Sequence, residues 1–146
     1  MSPARETEYA ELRGYLDFFA THVWQINPAD PIHPTNVGDA AIGRIGRPKA
    51  LDGLKQAVND TVEFLRHQPL AYIQKLDAAL SEANLLTSSE IRRRYASAYG
   101  RMMKRGNIAN ETEYYLVAGI LSDGRSGVTA EERSELEELA AKYRPK

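Results

Sequence analysis

The chain is predicted to be all-α, a single domain of five or six helices with one long proline- and glycine-rich strap between the first two. Three observations predict it. Apolar residues recur at three- and four-residue spacings along most of the sequence, which places them on one stripe of a helix. Helix-start signals stand in front of those stretches, and no segment of convincing length alternates apolar with polar residues. The chain has 146 residues, a length that suits one domain and buries roughly 68–70% of its unfolded surface, so a packed core forms without staples.

The first helix is carried by Tyr9, Leu12, Leu16, Phe19 and Val23. Ser2 and Pro3 supply its N-cap and first-turn proline, and Asn27-Pro28 ends it. Residues 25–48 follow, holding Pro28, Pro31, Pro34 and Pro48 with Gly38, Gly43 and Gly46. A segment this long without its own periodicity is unusual inside a compact domain. It is read as an ordered strap, anchored by Ile32, Val37, Ile42 and Ile45, with one helical turn near residues 39–42.

A second helix is expected over residues 49–67, with Leu51, Leu54, Val58, Val62 and Leu65 as its buried face. Pro69 separates it from a third, on Leu70, Ile73, Leu76 and Leu80, and the short turn makes the two a hairpin or a sharply bent pair. Three further starts carry capping-box spacing, in which a polar side chain caps an amide three residues on and a glutamate reaches back. They are Thr87 with Glu90, Asn110 with Glu113, and Thr129 with Glu132. The first opens a helix with Ile91, Tyr95, Ala98 and Met102 on one face, stopped near Gly106, a left-handed C-cap. The second opens residues 111–122. Their apolar run at 114–121 also suits a buried strand, but the cap and the lack of a partner strand decide for a central helix. The third opens a short amphipathic helix on Leu136, Leu139 and Tyr143, ending before Pro145.

Composition narrows the function. There is no cysteine, which excludes disulfides, thiolate metal sites and cysteine nucleophiles. The 19 basic and 20 acidic residues give a formal net charge of −1, so nothing global favours nucleic acid or membrane. Charges interrupt the N-terminal stretch, which leaves no signal-peptide core, and the apolar run at 114–121 is far short of the roughly 20 residues of a membrane span. A soluble cytoplasmic protein is the expectation, with no membrane partner and with the oligomeric state open.

Local motifs are weak. Gly38 and Gly43 have the glycine spacing of a phosphate-binding loop, but Arg44 and Ile45 stand where that loop needs Lys and Ser or Thr. Glu63 and His67 share a helical face without the further glutamates of a bundle metal site. No metal, cofactor or catalytic residue is therefore assigned. Nothing resembles G-x-S-x-G or H-E-x-x-H. If the chain is a motif-free enzyme, its site is expected around the strap, at His22, Trp24, His33, Arg44 and Arg47.

Charge asymmetry says more. Residues 87–110 hold six basic side chains and one acid, whereas residues 111–146 hold eight acids and five bases. On one continuous helix Arg93, Arg94, Arg101, Lys104 and Arg105 span a face of about 120° at 100° per residue, with Arg92 and Tyr99 at its edge. Three readings compete: a solvated surface, pairing with the acidic last helix, and a partner site. The leading functional reading is a non-catalytic interaction or regulatory module that binds an acidic protein partner through these seven residues and the strap. A nucleic-acid-binding protein using the same basic helix is the alternative, although the following helix begins with acids and suits a core better than a groove. A small enzyme is third.

Overall fold

The computed structural model describes residues 1–145 and is all-helical, with seven helices among them. They are α1 (Pro3–His22), α2 (Pro34–Arg66), α3 (Leu70–Glu82), α4 (Ser88–Tyr95), α5 (Ser97–Arg105), α6 (Glu111–Ser122) and α7 (Ala130–Lys142). The chain divides into two compact units, residues 1–61 and residues 62 onward.

In the first unit α1 starts as expected, with Ser2 Oγ accepting from the Arg5 amide and Pro3 in the first turn. Tyr9, Leu12, Tyr15, Leu16, Phe19 and Ala20 are buried. Ala50, Leu51, Leu54 and Val58 of α2 are buried as well. Thr61 Oγ1 donates to the Val58 carbonyl and accepts from Tyr15 Oη, 2.9 Å away. Arg13 with Asp39, Arg47 with Glu6, and Lys55 with Glu8 tie the exposed flanks.

The strap is corrected. Its non-helical part ends at His33, and from Pro34 the chain is helical to Arg66, broken only at Gly46 (φ 80°, ψ 164°). Glycine alone occupies that region cheaply, and Pro48 reopens the helix just beyond, where a missing amide costs least. In the loop, Asn27 Oδ1 accepts from the Ala29 amide, Asp30 Oδ1 from the Ile32 amide, and Asn36 Nδ2 donates to the Pro28 and Asp30 carbonyls. Tertiary ties, Arg13 to Asp39 and Arg47 to Glu6, hold a segment whose glycines weaken its own helix propensity.

In the second unit α6 is central: it packs against α3, α4, α5 and α7. Leu116, Val117 and Ile120 are buried with Tyr99, Met102, Ile108, Leu136 and Leu139 in one cluster. Gly119 allows the approach, since a Cβ there would stand 3.3 Å from Ser89 Oγ and 3.4 Å from Ile73 Cγ2. All three expected caps form: Thr87 to the Glu90 amide, Asn110 to Glu113 and Thr129 to Glu132.

The single basic helix is also corrected, and with it the helix count of five or six. Ala96 is extended (φ −73°, ψ 116°), so α4 and α5 are separate helices. The break turns the second segment so that Tyr99 and Met102 are buried, whereas Tyr95 and Ala98 are only half-buried. The arc of arginines expected on one continuous helix therefore does not exist as one helical face. Gly106 ends α5 in the left-handed region at φ 85°, as expected.

Candidate functional site

The three capping-box glutamates also hold basic residues. Glu90 is 1% exposed. Its carboxylate accepts from Arg93 Nε at 2.8 Å and Nη2 at 2.9 Å, from Arg94 Nε at 2.7 Å, and from the Gly127 amide at 2.7 Å. Burial pushes this carboxyl up, but the hydrogen bonds from Arg93, Gly127 and Arg94 together outweigh it and hold it below the ordinary glutamate range. Gly127 leaves room for the pair, since a Cβ there would stand 2.9 Å from Arg93 Nη2 and Glu90 Oε2 and push them aside. Glu132 of α7 takes Arg93 Nη1 at 3.2 Å and the Tyr99 hydroxyl; burial first, then this hydrogen bond, drives the phenol strongly upward. Glu113 takes Arg105 Nη2 and the Ala109 amide.

Beside this network the start of α4 is held by two more buried carboxylates. Asp77 accepts from the hydroxyls of Ser88 and Ser89 and from the Ser89 amide, and Asp123 accepts from Thr87 Oγ1. Burial raises Asp77 above the ordinary range against those bonds, and Asp123 adds to the rise. These groups satisfy one another as a buried polar network must.

Of the seven basic-face residues, then, Arg93, Arg94, Tyr99 and Arg105 are engaged by acids of the same unit. Arg92 is 5% exposed. Arg101 donates only to Ser97 Oγ, at 3.1 Å, and with Lys104 is exposed and outside every ion pair among the described residues. Arg101 and Arg92 line a cleft of about 170 Å³ together with Arg66, Glu63, Ser97, Ala98 and Glu113. A wider hollow of about 680 Å³ lies between residues 106–111 and 139–145, but no reactive set converges there.

The residues suggested around the loop each have their own surroundings. His22 is exposed, with its ring 4.5 Å from that of Phe18. Trp24 packs edge-on against Phe19 at 5.1 Å. His33 is fully buried: Nδ1 accepts from the Thr35 amide and Nε2 faces Thr21 Oγ1 at 3.0 Å. Arg47 grips Glu6 through two nitrogens and lies over the Tyr9 ring. Arg44 is exposed.

What sequence reasoning missed is the surface these helices build in the first unit. A groove of about 320 Å³ is lined by Leu16, Ile32 and Pro34, by Val37, Gly38, Ala41 and Ile45 before the Gly46 break, and by Lys49, Ala50, Gly53, Leu54 and Ala57 after it. Ile32 is 70% exposed, Val37 50% and Ile45 47%, which corrects the expectation that these three anchor the strap by burial: they line the groove from its open side. The signal was present as i, i+4, i+8 spacing on either side of Gly46, hidden by the small size of the residues.

Among the described residues no group of three His, Asp or Glu side chains converges to hold a metal, and no helix is long and apolar enough to cross a membrane. Comparison with family models, with curated proteins and with solved structures gives no match.

Proposed function

We propose that the chain is a non-catalytic interaction module that binds an acidic protein partner, and that the groove of the first unit takes an amphipathic helix of that partner. The observation that carries this reading is the gathering of Ile32, Val37 and Ile45, three of the large hydrophobic side chains most exposed to solvent, around one groove. Contiguous exposed apolar surface marks interaction sites more often than chance exposure does. The small lining residues Gly38, Ala41, Gly53 and Ala57 suit a helix, because they let its backbone come close, and nothing lies within 4 Å of the Cβ position of Gly53.

Charge selects the occupant. Lys49 is the sole charged residue among those lining the groove, and Arg44 lies two helical turns beyond Val37 on the same edge. Both are exposed, and neither forms an ion pair among the described residues. A helix with leucine or isoleucine on one stripe and glutamates on its flanks matches this rim. The outward Arg101 and Lys104 of the second unit favour the same sign of partner.

The test is a fluorescence-anisotropy titration with two labelled amphipathic peptides that share one apolar stripe, flanked by glutamate in one and by lysine in the other. The acidic peptide is expected to bind. Val37→Asp and Ile45→Asp should each weaken it about tenfold or more, since each removes a buried aliphatic contact of roughly 1.5–3 kcal/mol, while Arg44→Glu should cost about two- to fivefold. Binding of neither peptide contradicts the reading. Binding of duplex DNA that ignores the groove changes but falls steeply with salt would support the nucleic-acid reading instead.

A further inference from the structure

We infer that residues 37–45 form a hinged flap at the groove of the first unit, latched to α1 by Arg13 and Asp39, and that its local release gates the entry of the partner helix. The gating rests on the reading of that groove as the docking site; the opening of the flap does not.

The flap is the least supported stretch of helix in its unit. Among residues 37–49 none is buried: Gly38, Ala41, Ile42 and Gly46 are half-buried and the others are exposed. On either side the chain is packed. His33 and Thr35 are buried at the root, where Thr35 Oγ1 donates to Asp17 Oδ1 and Asn36 Nδ2 to the Pro28 and Asp30 carbonyls. Burial resumes with Ala50, Leu51 and Leu54. Gly38 lies against this later part, its Cβ position 3.7 Å from Leu54 Cδ2, but a glycine has no side chain with which to exploit the contact. Segments with few buried apolar groups open locally well before a whole domain unfolds.

Two features define how the flap opens. Gly46, at φ 80° and ψ 164°, breaks the helix in a region that is essentially glycine's alone, so the angle between the two halves can change there without meeting a Cβ. Asp39 supplies the one side-chain hydrogen-bonded tie of residues 37–45 among the described residues, accepting from Arg13 Nε at 3.0 Å and Nη2 at 2.7 Å. Both partners are exposed, and an exposed ion pair is weak and screened by salt. Arg47, just past the break, is held separately by Glu6 and stays with the fixed side of the hinge.

The position of the hinge makes this motion matter to the groove, because Val37, Ala41 and Ile45 line it from the flap and Gly53, Leu54 and Ala57 from the fixed half. At about 320 Å³ the groove is narrow for a helix about 10 Å across. Release of the latch parts the walls, and its closure returns Val37 and Ile45 to the apolar stripe of the occupant. A gate of this kind changes entry and exit together and leaves the equilibrium affinity nearly untouched.

Amide hydrogen exchange of the whole chain, read by NMR, tests the flap, and stopped-flow fluorescence with the labelled acidic-flanked peptide tests the gate. Amides of residues 41–45 are expected to exchange at least about a hundredfold faster than those of residues 54–61, and faster still in about 0.5 M sodium chloride. Arg13→Gln and Asp39→Asn should each speed exchange at 41–45 about three- to tenfold, leave residues 54–61 and the melting temperature unchanged, and raise the association and dissociation rates of the peptide by a similar factor. The two variants shift the net charge in opposite directions, so the same response from both reports the latch and not electrostatic steering, and the double variant should add nothing to either single one. Equal exchange at 41–45 and 54–61 would overturn the flap. Variants that speed exchange without raising both rates would overturn the gate. A peptide that fails to bind the wild type contradicts the docking reading and removes the gate with it, while exchange still decides whether the flap exists.

Discussion

The two units solve opposite problems with the same kinds of residue. In the first, apolar side chains remain in solvent around a groove, while its charges sit in separate surface pairs such as Arg13–Asp39 and Arg47–Glu6. In the second, the apolar residues close into one cluster about α6, and it is the charges that go inside, with Glu90 at the centre of Arg93, Arg94 and Gly127. The lesson is that a basic stretch is no measure of a binding face: arginines near a buried acid belong to the fold, whereas plain small residues at helical spacing build the open surface.

Breaking this contrast should hurt the second unit most. Glu90→Ala takes the buried carboxylate away from Arg93, Arg94 and the Gly127 amide, and removing one partner of a buried pair costs about 3–5 kcal/mol; urea unfolding followed by circular dichroism measures it. Leu116→Ala and Ile120→Ala empty the cluster and should each cost roughly 2–5 kcal/mol. Gly127→Ala follows, at about 1–3 kcal/mol, because the added methyl forces the Glu90–Arg93 pair aside.

Acid sharpens the comparison further. The Glu90 carboxyl lies below its ordinary range in the folded state, so its contribution is present above the unfolded value and disappears as pH falls through the folded one. Stability measured down from pH 5 should therefore drop in the wild type and drop less in Glu90→Gln. Asp77 runs the other way: its raised value means that stability is lost as pH rises through it. Asp77→Asn should flatten the curve on the weakly acidic side. The smallest stability effects belong to the groove, where Val37→Asp and Ile45→Asp are expected to move unfolding by no more than about 0.5 kcal/mol.

Much of this contrast was legible beforehand, and what was not has physical causes. The α-class, the stripe of α1, the three caps and the central α6 follow from periodicity and capping chemistry, which are local. The helix from Pro34 to Ile45 was masked because Gly38 and Gly43 lower its propensity and its support comes from Arg13 and Glu6, far away in sequence. The break at Ala96 has no glycine or proline to announce it; it accompanies the burial of Tyr99 and Met102. Glu90, Glu113 and Glu132 showed their positions but not their roles, since a capping box and an arginine anchor share one spacing. The groove was missed because much of its lining is glycine and alanine, which periodicity scarcely registers.

The central claim is that the groove of the first unit, and not the arginines of α4 and α5, is where a partner helix docks. Amide chemical-shift mapping with the acidic-flanked amphipathic peptide tests it most directly. The account predicts perturbations concentrated at Val37, Gly38, Ala41, Gly53 and Ala57 and lost in Ile45→Asp. Perturbations concentrated at Arg93, Arg94 and Arg105, with the groove residues silent, would contradict it.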